Sequence, residues 1–180
     1  NPDDDILTHT FGDRRGAKIS KLKPFLMQET IEFFKLILNE NLSLINFIDS
    51  DFVVINKLLN EIYKLKNDDK DVFEKDEDPK AFNKVMLDKE SRRGGLLTQV
   101  GILMMTTNGE FTNPFYRGAW VAKSIYGLEL KLPANLEVEA LEAPTETFTI
   151  KDNINEHRKD PNCASCHSKM DPFGLAMEGF

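Results

Sequence analysis

Apolar positions recur at helical spacing in separate blocks along the chain, and the residues between the blocks are polar and rich in turn formers. Residues 1–20 carry scattered charge with Gly12 and Gly16 as breakers, which predicts an irregular lead-in. Pro24 fits the first turn of a helix, where its missing donor is not needed. From there Phe25, Leu26, Ile31, Phe34 and Leu38 recur at helical spacing, with Gln28, Glu29, Glu32 and Lys35 on the other face. A second helix is predicted from about Asp51 to Lys64. Asp49, Ser50 or Asp51 can cap it, and Val54, Leu58, Leu59, Ile62 and Tyr63 form its apolar face. Residues 66–79 are charged and end in Asp78-Pro79. They lack the central Gly and regular Asp spacing of a calcium loop and read as a solvated loop.

Residues 81–87 fit a short strand or an extended lead-in, and Arg92-Arg93-Gly94-Gly95 a turn. Leu96 to Met105 is almost uniformly apolar and too short to span a membrane, which predicts a buried helix broken by Asn108-Gly109. Asn113-Pro114 opens another helix from about Phe115 to Tyr126, ended by Gly127. Residues 129–145 hold Pro133 and Pro144 without periodicity and read as an extended linker. Thr149 to His157 is helical again, and Asp160-Pro161 stops it. The fold class is therefore mainly α, with long irregular connections.

Composition narrows the function classes. The net charge of −7 argues against non-specific nucleic-acid binding, which needs clustered Lys and Arg. No apolar run reaches the roughly 18 residues that span a bilayer. The start, Asn1-Pro2-Asp3-Asp4-Asp5, has neither the basic nor the apolar region of a signal peptide. With an abrupt stop at Glu178-Gly179-Phe180, it gives the expectation of a mature or cleaved piece of a longer protein. Only two Cys occur, both within five residues, so a disulfide scaffold is excluded.

Those two Cys carry the chemistry. In Cys163-Ala164-Ser165-Cys166-His167, two thiols three positions apart can each add to one haem vinyl group, and the following His is aimed at the iron as proximal ligand. The expected cofactor is one covalent haem c. A zinc site needs four ligands, yet there is no second Cys pair, and the other His, His9 and His157, lie far apart. A thioredoxin-like redox pair needs a preceding strand, and Asp160-Pro161-Asn162 does not resemble one. No nucleophile elbow and no phosphate-binding Gly loop is present.

The surroundings of the motif are more specific. Asp160-Pro161-Asn162-Cys163-Ala164-Ser165-Cys166-His167, followed by Lys169-Met170-Asp171-Pro172-Phe173-Gly174-Leu175-Ala176-Met177-Glu178, resembles the planctomycete-type cytochrome c family. Arg93-Gly94-Gly95-Leu96-Leu97-Thr98-Gln99 and Arg117-Gly118-Ala119-Trp120-Val121 resemble its two Arg-Gly signatures. Phe25 to Glu32 and Glu40-Asn41-Leu42-Ser43 resemble its first helices, and Ser50-Asp51-Phe52 with Asn56 and Leu59 resembles its Ser-Asp-Tyr/Phe…Asn…Leu segment. The resemblance covers about residues 20–180, or two adjacent domains. It implies large secreted proteins in which domains of unknown function accompany haem c motifs.

The expected organisation is a lead-in (1–20), a helical domain (21–128), a linker (129–145) and a haem-attachment segment (146–180) packed on the helical domain. Besides Cys163, Cys166 and His167, Arg117 and Trp120 are candidate haem contacts. Arg93 and Arg158 could pair with propionates, and Phe115, Tyr116, Phe173 and Leu175 could line the ring. His157 is the candidate distal iron ligand. Met170, Met104, Met105 and His9 are alternatives, as is an open site. The expected function is electron transfer within a larger redox assembly, with a partner protein or other subunits, rather than catalysis. A haem-containing oxidoreductase with an exchangeable iron site is the first alternative, and a haem-stabilised structural module the second. Haem c is attached outside the cytoplasm, so the expected location is periplasmic or extracellular.

Overall fold

The computed structural model describes residues 13–65, 73, 78–107, 112–129, 145 and 147–180. The lead-in 1–12 with His9, most of the charged stretch 66–79, the Asn108-Gly109 break and nearly all of the linker 129–145 lie outside these residues. Among the described residues there are six α-helices and one two-stranded sheet, a mainly helical protein. No described helix is long and apolar enough to cross a membrane. The chain divides into two compact units, Asn1–Met105 with Phe180, and Thr106–Gly179.

The first unit is built on α1, Asp13–Asn39. This helix starts well before Pro24, which sits inside it rather than at its first turn. An internal proline loses one backbone hydrogen bond and crowds the preceding turn. Burial of Leu22, just upstream of Pro24, helps hold the earlier turns in helix. The buried stripe also differs from the expected one. Leu22, Glu29, Phe33 and Ile37 are buried, whereas Ile31, Phe34 and Leu38 are exposed. Apolar residues surround this helix on most sides, so helical spacing alone does not identify the core face.

The expected helix 51–64 is instead a strand and a shorter helix. Phe52–Ile55 forms β1, and Asn83–Met86 forms β2 antiparallel to it, with Val53 opposite Val85. Phe-Val-Val-Ile is a continuous run of strand-favouring residues, buried at all four positions. Phe52 and Val54 pack with Phe33 and Ile37, while Val53 and Ile55 pack with Leu59, Tyr63, Val85 and Val100. Asn56 then adopts an extended conformation, and its side chain accepts from the Leu59 amide at 2.8 Å. That cap starts α2, Lys57–Tyr63.

The apolar stretch 96–105 is also divided. Leu96–Thr98 is a short 3-10 turn, Gln99 is extended, and α3 runs Val100–Met105. The Arg-Gly turn before it is held against the start of β1. The Gly95 amide donates to Ser50 Oγ at 3.0 Å, and Ser50 Oγ donates to the Phe52 carbonyl at 2.6 Å. Gly95 has φ +67°, and a Cβ there would lie 2.4 Å from the Ile48 carbonyl oxygen.

Glu29 is completely buried in this unit although the pattern put it on the polar face. The Tyr63 hydroxyl donates to Glu29 Oε1 and accepts from the Val100 amide at 3.1 Å, tying α1, α2 and α3 together. Glu29 Oε2 is buried without a hydrogen-bond partner. Burial pushes the Glu29 carboxyl up to about 7, against the opposing effects of the Tyr63 hydrogen bond and the Arg93 guanidinium. Burial, followed by the Glu29 charge, raises Tyr63 well above its ordinary value.

The second unit holds α4, Pro114–Ser124; α5, Ile150–His157; and α6, Pro161–Ala176. Each has a side-chain N-cap. Asn113 Oδ1 accepts from the Tyr116 amide at 2.9 Å, with Pro114 in the first turn. Thr149 and Asp152 form a reciprocal capping box at α5. Asp160 Oδ1 accepts from the Asn162 amide at 2.8 Å, so Asp160-Pro161 both ends one helix and starts the next. The sequence assigned α4 to the domain 21–128, but α4 lies in the same compact unit as α6.

Candidate haem-attachment site

The crossing of α4 and α6 positions the site. On α4, Pro114, Arg117, Gly118, Val121 and Ala122 are buried, at the spacing of one helical face. The two backbones meet at paired glycines. A Cβ on Gly118 would lie 2.2 Å from the Met170 carbonyl oxygen, and one on Gly174 would lie 1.9 Å from that of Pro114. Any side chain at either position would force the helices apart. Their close approach brings Phe115 of α4 edge-on to His167 of α6, with ring centroids 4.4 Å apart.

Cys163, Cys166 and His167 lie on α6 at i, i+3 and i+4, so they share one side of the helix. Neither cysteine is in a disulfide and both are half-buried, whereas His167 is buried. Partial burial raises the Cys163 thiol, and Asp160 and Cys166 add to the effect. His167 Nδ1 is 2.8 Å from Asp171 Oδ1. A carboxylate only accepts, so Nδ1 is the donor, and the Nε2 lone pair is left for another partner. Metal-binding imidazoles are held in this way, by a carboxylate on the nitrogen that does not face the metal. The residues thus fit the proximal half of a covalent haem site. Among the described residues no group of three or more His, Cys, Asp or Glu could hold a metal ion.

The distal side does not fit in this arrangement. His157, at the end of α5, lies against His167 with ring centroids 4.7 Å apart, and Phe115 lies 5.5 Å from His157. At such a spacing the imidazoles are in direct contact. Two nitrogens on opposite faces of one iron would be about 4 Å apart at usual imidazole–metal bond lengths, with the ring centroids farther apart. His157 would have to swing outward to serve there.

The other candidates are dispersed. Arg117 is buried, and its guanidinium donates to Glu178 at 2.8 Å, the Met177 carbonyl at 3.2 Å and Thr106 Oγ1 at 3.2 Å. The first two bonds join α4 to residues after α6, and the third reaches Thr106, ahead of α4 in the chain. Trp120 is half-buried on α4. Phe173 stacks on Tyr126 at 4.8 Å, while Tyr116 is exposed. Arg158 Nε lies 3.8 Å from Asp171 Oδ2. In the first unit, Met104 packs against its core, Met105 is exposed and Arg93 lies over the Tyr63 ring. The sequence pattern assigned Asp171 no role. Its signal was the i, i+4 spacing from His167 on what proves to be a single helix.

Residues 93–180 match the model of the family described as PSCyt3, protein of unknown function (DUF1588), a domain family found in planctomycete-type cytochrome c proteins. The match includes both Arg-Gly signatures and the Cys-x-x-Cys-His segment, and it begins far downstream of residue 20, where the sequence resemblance starts. No curated protein and no solved structure matches the chain.

Proposed function

We propose that this chain is a c-type cytochrome domain that binds one haem covalently and passes electrons within a larger redox assembly. Cys163 and Cys166 would hold the haem by thioethers, each formed by adding its S–H across a vinyl group, and His167 would bind the iron through Nε2. The bound haem would supply one-electron redox chemistry. One observation carries the reading. Both thiols and a buried imidazole share one side of α6, and the imidazole donates from Nδ1 to a buried carboxylate. The match to PSCyt3 supports it at the coarser level of a cytochrome-associated domain.

The protein's own groups would do the rest. The Gly118–Gly174 crossing would seat α6 closely against α4, and Asp171 would orient His167. Phe115 and the half-buried setting would keep water from part of the ring. We place the domain outside the cytoplasm, where covalent haem attachment occurs, with a redox protein or other subunits as its partner. His157 remains the proposed sixth ligand once it has swung outward. An optical spectrum of the reduced, haem-loaded chain with and without carbon monoxide tests electron transfer against an exchangeable iron site. A six-coordinate spectrum indifferent to carbon monoxide is the expected result. Ready carbon monoxide binding would overturn the electron-transfer reading in favour of an oxidoreductase.

A further inference from the structure

We infer that Asp171 is a positioning residue that sets the donor strength of His167 and thereby lowers the potential of the iron, an inference that rests on the haem reading above. Asp171 is completely buried one helical turn beyond His167, with Oδ1 2.8 Å from His167 Nδ1. Its other oxygen, Oδ2, is also buried and has no hydrogen-bond partner. The cation beside it, Arg158 Nε, lies 3.8 Å away on a partly exposed side chain, beyond hydrogen-bond range.

A purely structural role leaves this arrangement unexplained. A buried carboxylate with one oxygen lacking a hydrogen bond is costly. An apolar residue in the same place would pack without that cost. The arrangement does, however, concentrate the carboxylate charge on its single strong donor, the His167 Nδ1–H. Pull on that proton shifts electron density to Nε2 and makes the imidazole a stronger ligand. A stronger, more anionic donor favours ferric over ferrous iron, so the midpoint potential falls. The same bond locks the tautomer, since the proton stays on Nδ1 and the lone pair stays on Nε2.

Two measurements test this on the full chain. In the 15N-labelled chain without haem, at about pH 8, the His167 nitrogens should report a protonated Nδ1 and a bare Nε2. This needs no variant, so it does not depend on a substituted chain folding. A proton on Nε2 would overturn the inference. In the haem-loaded chain, Asp171→Asn keeps the shape and an acceptor oxygen but removes the charge. Its midpoint potential should shift upward, with the haem still covalently attached. An unchanged potential with haem attached would overturn the role of Asp171 and leave the haem reading standing. A wild-type chain carrying no covalent haem would overturn the functional reading and, with it, any role of Asp171 toward iron.

Discussion

Glu29 gives the sharpest test of how the first unit is held together. Replacing it by Gln keeps its shape and its acceptor for the Tyr63 hydroxyl, and removes a charge from a site with no water access. The carboxyl is raised from 4.5 to about 7 in the folded chain. Between those values the folded state holds a proton that the unfolded state has lost, so stability falls as pH rises through this window. The full penalty applies above the folded value. Each tenfold change in proton affinity is worth about 1.4 kcal/mol, so the penalty amounts to about 3 kcal/mol. Glu29→Gln should therefore match the parent near pH 4 and exceed it by about 3 kcal/mol near pH 8. Hydrogen exchange of the β1 and β2 amides across that pH range reads this unit directly. An equal stability of variant and parent at about pH 8 would instead mean that the buried carboxylate ionises without cost.

Three further changes have defined outcomes. Gly174→Ala places a methyl 1.9 Å from the Pro114 carbonyl oxygen, and should cost about 3 kcal/mol or more, read by urea unfolding followed at Trp120. Thr149→Ala removes one half of the capping box and should destabilise α5 by about 1 kcal/mol in the same assay. Phe33→Ala empties the space between α1 and the sheet, and should cost about 3–5 kcal/mol by exchange at the β1 amides, while the Trp120 transition stays in place.

Where one physical preference dominated, the sequence was readable. Asn113-Pro114 marked the start of α4 and Asp160-Pro161 the end of α5, and Cys-x-x-Cys-His stood out because two thiols and an imidazole at that spacing suit few other purposes. It misled where preferences competed. Val54, Leu58 and Ile62 fit a helical period, yet Phe52–Ile55 is also a strand former, and pairing with β2 decided between them. On α1 the apolar residues are spread so widely that only the position of the sheet selects Phe33 and Ile37 over Phe34 and Leu38. Glu29 and Asp171 were hidden for a related reason. A buried carboxylate is unfavourable until its partners, Tyr63 and His167, are brought to it by other elements or by the helical turn itself. The pairing of Gly118 with Gly174 required knowing that α4 and α6 cross.

Covalent attachment of a haem to Cys163 and Cys166 is read by intact mass. The chain would be exported in a host that matures c-type cytochromes, denatured, and weighed alongside a Cys163→Ala/Cys166→Ala variant. The parent chain should be heavier by the mass of one haem, with no such addition on the variant. A parent chain at the bare polypeptide mass in that host would contradict covalent attachment.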